Sequence, residues 1–371
     1  MNNNLEKNVK WIGSICIVSF FLLACIFKCF AATTELQKLD VNIPIEFGDD
    51  DASILAIQNE DSLIMQLYPR FPSKNNVDQA SKKIIAFHPS TQRSENLIDL
   101  SNEENLSINQ TKLLSSQYLL ASLKNLSDNS YEMRLYNLKD GNYEQIEVLN
   151  NVPENAYFVF DAVATDEIIY ISQLDYDNSE NPDYYMYTWD VNKKEFTKTE
   201  HKCGSFVKDG TNIWLMYQDD KGRYIENLNS GEKSYPDNNQ DVIGYTILNN
   251  KKLCIYDNQY KIVDADTQEV YYDGESLYKD KPYNFFGLQN SLSYISPLVA
   301  GADEVPLIRT SGDKVETTTL KYPLASIDEE NKFVRQIFIA SPDSDCFLLA
   351  SLLFNGEEAP EVRIDLYKDV Q

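Results

Sequence analysis

The sequence predicts an all-β chain folded as a seven-bladed β-propeller, carried behind a hydrophobic amino-terminal segment. Three observations predict it. Short apolar runs alternate with clusters of Asn, Asp, Gly, Ser and Lys through residues 33–371. A hairpin pattern anchored on one polar residue recurs seven times. The last copy is one strand short, and a strand-like run ahead of the first copy can complete it.

The runs come first. Ser62–Tyr68, Lys83–Phe87, Tyr118–Leu123, Ile168–Gln173, Tyr184–Trp189, Lys252–Tyr256 and Phe347–Leu353 are short and rich in β-branched, aromatic or aliphatic residues. The 24 tyrosines and 17 phenylalanines suit pleated, half-buried strands. After residue 35 no stretch of ten or more residues keeps a 3.6-residue apolar period. Helices do not alternate with strands, which excludes Rossmann and TIM-barrel architectures.

The repeat follows from the turns. Leu135-Tyr136-Asn137-Leu138-Lys139-Asp140-Gly141 reads as strand, polar anchor, apolar residue and turn. The pattern returns at Tyr187–Lys193, Ile225–Gly231 and Ile262–Thr267, with weaker copies at Ala86–Thr91, Ile308–Asp313 and Arg363–Lys368. The anchors are His88, Asn137, Asp190, Asn227, Asp264, Thr310 and Asp365, spaced 37–55 residues apart. A four-stranded blade needs about 40–50 residues, so seven anchors predict seven blades. A small sheet cannot bury both faces alone, and radial stacking solves that while leaving only short edges.

Closure is the third element. Phe333–Ala340, Phe347–Phe354 and Glu361–Lys368 make three strands, and Glu35–Val41 is the natural fourth. Two stacked β-sandwich domains also accommodate periodic strands and hairpins, and remain the rival architecture.

With these repeats in place, residues 36–371 resemble exported bacterial β-propeller proteins of the TolB-like or PQQ-repeat-like sort. The body's tryptophans are Trp189 and Trp214, so the tryptophan-bearing PQQ signature is not carried. The resemblance is to an architecture and transfers no residue roles.

Residues 1–32 read as a signal peptide or membrane anchor, and residues 33–371 as the propeller domain. Lys7 and Lys10 precede Trp11–Phe27, which holds no charge; Lys28 and Cys29-Phe30-Ala31-Ala32 follow. This order of basic, apolar and small-residue regions marks an exported chain. Cleavage after Ala31 places Cys29 and Ala31 at the −3 and −1 positions. Leu22-Leu23-Ala24-Cys25 resembles a bacterial lipobox, which implies lipidation of Cys25. An uncleaved segment would span about 25 Å against a hydrocarbon core of roughly 30 Å. All three outcomes put the body outside the cytoplasm, in the cell envelope or secreted, with the membrane reached through this segment.

The chain carries a net charge of −25, and its first 31 residues hold three lysines against one glutamate. So acidic a body repels phosphate backbones, which excludes nucleic acid as a partner. Of six cysteines, only Cys203, Cys254 and Cys346 lie in the body, an odd number with no CxxC. Cys254 and Cys346 sit in apolar runs and are expected in the core. A Cys203–Cys254 disulfide has no support from spacing.

Chemistry-bearing motifs are few. His88 and His201 are the only histidines, and no GxSxG, Walker loop or GxGxxG occurs. We therefore expect no catalytic residues of these types and no organic cofactor. Oxygen-bearing side chains fall at alternate positions in Asp175, Asp177, Ser179, Asn181 and Asp183, as in the front of a calcium loop. Glu180 stands where such a loop turns on glycine, and Met186 where it takes a bidentate Glu; a solvated acidic hairpin fits the same run. Gly48-Asp49-Asp50-Asp51 is a weaker acidic cluster. Tyr184-Tyr185-Met186-Tyr187 and Tyr271-Tyr272-Asp273 fit either a carbohydrate or peptide surface or packing between blades. Sequons stand at Asn105, Asn109 and Asn125. The expected function is a protein- or glycan-binding scaffold. The alternative is a carbohydrate-active enzyme using a carboxylate pair.

Overall fold

The computed structural model describes residues 35–69, 81–149, 152–153, 158–175, 183–235, 242–256, 261–274, 288–290, 294–297, 304–311, 314–321, 332–340, 346–355 and 361–370. The amino-terminal segment with Cys25 lies outside them, as do Asp177, Ser179 and Asn181.

Among the described residues every element is a strand, and the 29 strands form seven sheets. The chain enters on β1 (Glu35–Leu39). The first sheet holds β2 (Glu46–Phe47), β3 (Asp50–Asn59), β4 (Ser62–Pro69), β5 (Lys83–His88) and β6 (Arg93–Asp99). The second holds β7 (Leu106–Leu113), β8 (Tyr118–Asn125), β9 (Tyr131–Asn137) and β10 (Tyr143–Leu149). The third holds β11 (Phe160–Ala164), β12 (Ile168–Asp175), β13 (Asp183–Asp190) and β14 (Glu195–Lys202). The fourth holds β15 (Ser205–Asp209), β16 (Asn212–Asp219), β17 (Gly222–Asn227) and β18 (Lys233–Ser234). The fifth holds β19 (Val242–Leu248), β20 (Lys251–Tyr256), β21 (Lys261–Asp264) and β22 (Val270–Asp273). The sixth holds β23 (Leu288–Asn290), β24 (Tyr294–Pro297), β25 (Glu304–Ser311) and β26 (Lys314–Lys321). The closing sheet holds β27 (Lys332–Ala340), β28 (Cys346–Asn355) and β29 (Glu361–Val370), and takes β1 as its fourth strand.

The strands pair antiparallel with their neighbours in chain order, except that β1 lies on β29, with Glu35 opposite Val370 and Leu39 opposite Leu366. Long antiparallel strands of this kind need no crossover helix. The sheets are set radially. Strand β3 lies against β7, β7 against β11, β11 against β15, β15 against β19, β19 against β23, β23 against β27, and β27 back against β3. This is the ring of a β-propeller, and the stacked-sandwich alternative falls with it.

Apolar side chains explain the radial order. Middle strands read as largely hydrophobic runs because sheets cover both of their faces: Ser62–Leu67 and Ile84–Phe87 are buried throughout, polar Ser62 and Gln66 included. Outer strands alternate or turn mostly polar, as in β14 (Glu195–Lys202), where no residue is buried. The core therefore lies between sheets. Ile64, Ile84 and Ala86 of the first sheet meet Leu119, Ala121 and Tyr136 of the second. Ile57, Leu63 and Phe87 meet Cys346, Leu348 and Leu366 of the closing sheet, with Leu39 packed alongside. Each fully buried Leu or Ile contributes about 1.5–3 kcal/mol of transfer free energy.

The anchor residues act through their side-chain oxygens. Asn137 Oδ1 accepts from the amide of Lys139, and Asp190 Oδ1 from Asn192 and Lys193. Asn227 Oδ1 accepts from Asn229 and Ser230, and Asp264 Oδ1 from Asp266 and Thr267. In each case the amide four residues on also donates to the anchor carbonyl. That fourth residue has a left-handed backbone: Gly141 (φ 71°), Lys194 (57°), Gly231 (71°) and Gln268 (61°). Gln92, four after His88, shares it (φ 54°). The same six-residue turn occurs at Asn125–Ser130, between β8 and β9, outside the anchor series. One of the three weaker expected copies departs from the pattern: Arg363–Lys368 is uninterrupted strand, with Asp365 opposite Leu349 and salt-bridged to Lys38 of β1 at 2.6 Å.

Polar side chains also clamp sheet to sheet. The Gln110 amide donates to the Phe160 carbonyl at 2.8 Å and accepts from the Phe160 amide at 3.1 Å. Asp161 pairs with Lys112 of the second sheet at 2.9 Å and accepts from the Phe206 amide of the fourth at 2.9 Å. Arg134, buried, forms a two-pronged pair with Glu103 at 3.0 and 2.8 Å and a second pair with Glu132. Glu103 precedes β7, so Arg134 pins the link from the first sheet to the second.

Candidate functional site

In an antiparallel four-strand meander, turns between second and third strands emerge at the same end as connections to the next sheet. At that end a cavity of about 570 Å³ opens between the third and fourth sheets, lined by Lys202, Tyr217, Gln218, Asp219 and Asp220. Lys202 ends β14 and Asp219 ends β16. The Asp219–Gly222 hairpin turn holds Asp220 at the rim, where the Asp219 carboxylate accepts the Lys221 amide at 2.8 Å. Tyr217 also packs against a buried apolar cluster of Met186, Cys203, Phe206, Ile213, Leu215 and Tyr224.

Ion pairs and tyrosine hydroxyls organise the walls. Asp183, at the start of β13, accepts the Tyr217 hydroxyl at 2.5 Å and pairs with Lys202 at 2.5 Å. Burial pushes the Asp183 carboxyl up, but Lys202, Tyr217 and the Tyr184 amide outweigh it and hold the group below its usual range. Asp219 accepts the Tyr235 hydroxyl at 2.7 Å, and this bond, ahead of Lys233 and Lys221, keeps its carboxyl low. Tyr217 is shifted the other way, by burial and by the adjacent Asp183 charge, so it stays a neutral donor. Its ring meets Tyr224 edge-on at 6.3 Å, and Tyr224 meets Tyr235 at 5.6 Å. Lys233 lies over the Tyr224 ring at 4.3 Å and pairs with Glu226 at 3.2 Å.

The residues singled out from sequence fall in several places. Asp175 and Asp183 face each other across the β12–β13 pair. Asp175 is buried, salt-bridged to Lys198 and hydrogen-bonded by the Tyr187 hydroxyl. Both described ends of the calcium-like run thus carry a lysine counter-ion, and no group of three or more metal-ligating side chains forms among the described residues. Asp50 and Asp51 pair with Phe47 and Glu46 in a two-residue hairpin. His88 Nδ1 lies 2.8 Å from the Asp61 carbonyl, tying a turn of the first sheet; exposed His201 stands 3.9 Å from Glu226. Tyr187 stacks on Phe196 at 5.1 Å, within one sheet. Cys203, Cys254 and Cys346 are buried and form no disulfide among the described residues, so Cys203 joins the two expected in the core. Sequence reasoning passed over Lys202, Tyr217, Asp219 and Tyr235. The signal was there in Tyr217-Gln218-Asp219-Asp220, an aromatic residue running into an acidic turn.

No family model matches the chain, and no curated protein matches it in sequence. Solved structures do match. An uncharacterized protein, lmo1340 from Listeria monocytogenes EGD-e, is 13% identical with a TM-score of 0.52, over 87% of this chain and 99% of that one. The β-propeller domain of the Trilobed protease from Pyrococcus furiosus is 10% identical with a TM-score of 0.52, over 88% and 97%. That domain is described as having an open velcro topology, whereas here β1 pairs with β29. A prolyl endopeptidase is 8% identical with a TM-score of 0.55 over 87% of this chain, which spans 51% of the enzyme. Likeness at this identity concerns the fold, and with the ring of sheets it makes the chain a β-propeller.

Proposed function

We propose that the protein is an exported, seven-bladed propeller at the cell envelope or in the medium, acting as a binding or scaffold module for a protein or glycan partner. The seven sheets with first strands adjoining in a cycle support the blade number. The uncharged run Trp11–Phe27 behind two lysines supports export. One observation carries binding over hydrolysis: Asp219 in the cleft and Asp183 behind its wall are both held below the usual carboxylate range by their hydrogen-bond partners. A glycoside hydrolase needs one carboxyl raised so that it can donate a proton near neutrality. Tyrosine hydroxyls and lysines instead fix these as permanent acceptors, a pattern suited to holding a ligand in place.

The test combines location and turnover. Cells expressing the full chain are fractionated, and the mature amino terminus is read by mass spectrometry as Met1, Cys25 or Ala32. The exported protein is then incubated with oligosaccharides and peptides while retention and product release are followed. Recovery outside the cytoplasm, with retention and no release, is the expected result. Cytoplasmic recovery or steady product release would overturn it.

A further inference from the structure

We propose that the cleft between the third and fourth sheets binds a short oligosaccharide of neutral or amino-bearing sugars and rejects polyuronates. This rests on the binding-module reading and adds the ligand's chemistry. The cavity, about 570 Å³, is in the range of small-ligand sites and takes a few sugar rings. Tyr217 is its aromatic wall. With its hydroxyl committed to Asp183, it lines the cleft as an aromatic residue, the type of side chain on which the apolar face of a pyranose stacks. Beside it stand the Gln218 amide and the Asp219 and Asp220 carboxylates, all exposed. A carboxylate accepts paired hydrogen bonds from vicinal hydroxyls, and a planar amide accepts one through its oxygen while donating one through its NH2.

Charge selects among sugars. Lys202, the cation lining the cavity, is neutralised by Asp183 at 2.5 Å. Asp219 is held ionised. The local field at the mouth is therefore negative, and the chain as a whole carries −25. Such a field repels a carboxylate-bearing sugar and attracts an ammonium. The cleft is polar and short, unlike the exposed sheet edge or apolar groove that would hold an extended peptide.

The experiment titrates the full-length chain, in mild detergent, by calorimetry with three probes: tetramers of N-acetylglucosamine, glucosamine and galacturonic acid. Binding of the first two is expected, with the glucosamine tetramer tighter and weakened by salt. Tyr217→Ala should weaken binding by about tenfold, the scale of losing one stacked ring. Tyr217→Phe, which keeps the ring and loses the hydroxyl, should stay close to wild type. Melting curves show that both variants are folded. Tight binding of the uronate, no binding of either other probe at millimolar concentration, or an unchanged Tyr217→Ala would each sink the proposal. A protein partner captured equally by wild type and Tyr217→Ala would leave the module reading standing and remove the sugar site. Cleavage of a probe would instead overturn the module reading.

Discussion

The repeated turn makes a quantitative prediction with its controls built into the chain. Asn227 is 8% exposed, and its Oδ1 receives two amides, from Asn229 at 2.9 Å and Ser230 at 3.1 Å. Asn227→Ala removes the acceptor from both. A net hydrogen bond contributes about 0.5–1.5 kcal/mol, and Asn229 and Ser230 are exposed enough for water to take over in part. The expected loss is about 1–2 kcal/mol, similar to losing a helix cap. Asn227→Asp should cost far less, because Asp190 and Asp264 fill this role in the sheets on either side. The converse change is Gln268→Gly. Gln268 sits at φ 61°, where Gly141 and Gly231 stand in sister turns. A left-handed backbone costs a non-glycine residue about 1–2 kcal/mol, and glycine gives back about 0.5–1 in unfolded-chain entropy, so a small net gain is expected. Urea unfolding followed by tryptophan fluorescence is the assay, since Trp214 is the buried cross-strand neighbour of Asn227. Equal losses for Asn227→Ala and Asn227→Asp would refute the reasoning, because the acceptor oxygen would then be irrelevant.

Arg134→Met should destabilise by about 2–3 kcal/mol, less than a fully buried broken pair because Glu103 is 38% exposed, and Glu103→Gln by less; equal midpoints for Arg134→Met and wild type in urea would contradict the clamp. Burial pushes the Asp264 carboxyl up, but the amides of Thr267 and Asp266 together with Lys251 pull it below its usual range. A carboxylate lowered in the folded state stabilises above the unfolded value near pH 4 and loses that contribution as pH falls. Asp264→Asn should therefore flatten the acid limb of a stability–pH curve, and an unchanged acid limb would count against it. Cys203, buried and with its thiol pushed up by burial, should resist iodoacetamide together with Cys254 and Cys346 until the chain unfolds; peptide mapping that finds any of the three labelled in folded protein would refute this.

Local interactions were legible and long-range ones were not. Asn137, Asp190, Asn227 and Asp264 announced their turns because the side chain bonds its own backbone two or three residues on, a rule contained within the segment. Closure through Glu35–Leu39 was legible too, since an arithmetic of strands left one vacancy. Asp365 misled for the same local reason: Ile364-Asp365-Leu366 imitates an anchor, yet its carboxylate reaches Lys38 at the other end of the chain. The cleft depends on pairs such as Asp183–Lys202 and Asp219–Tyr235, which join different strands of one sheet, or a strand to the residue just past another, and carry no fixed spacing. Nothing in the sequence around Gln110 marks it out. Only the neighbouring sheet shows that it completes the hydrogen bonding of Phe160.

The pairing of Glu35 with Val370 also dictates a timetable. A ribosome delivers β1 first and β29 last, so the bond that locks the circle must wait for the whole chain. Until then β1 has no partner and the closing sheet has an open edge, leaving two adhesive ribbons of unsatisfied backbone. Assembly should accordingly be slow and all-or-none in its final step, and chains shortened from the carboxyl end should aggregate instead of forming smaller rings.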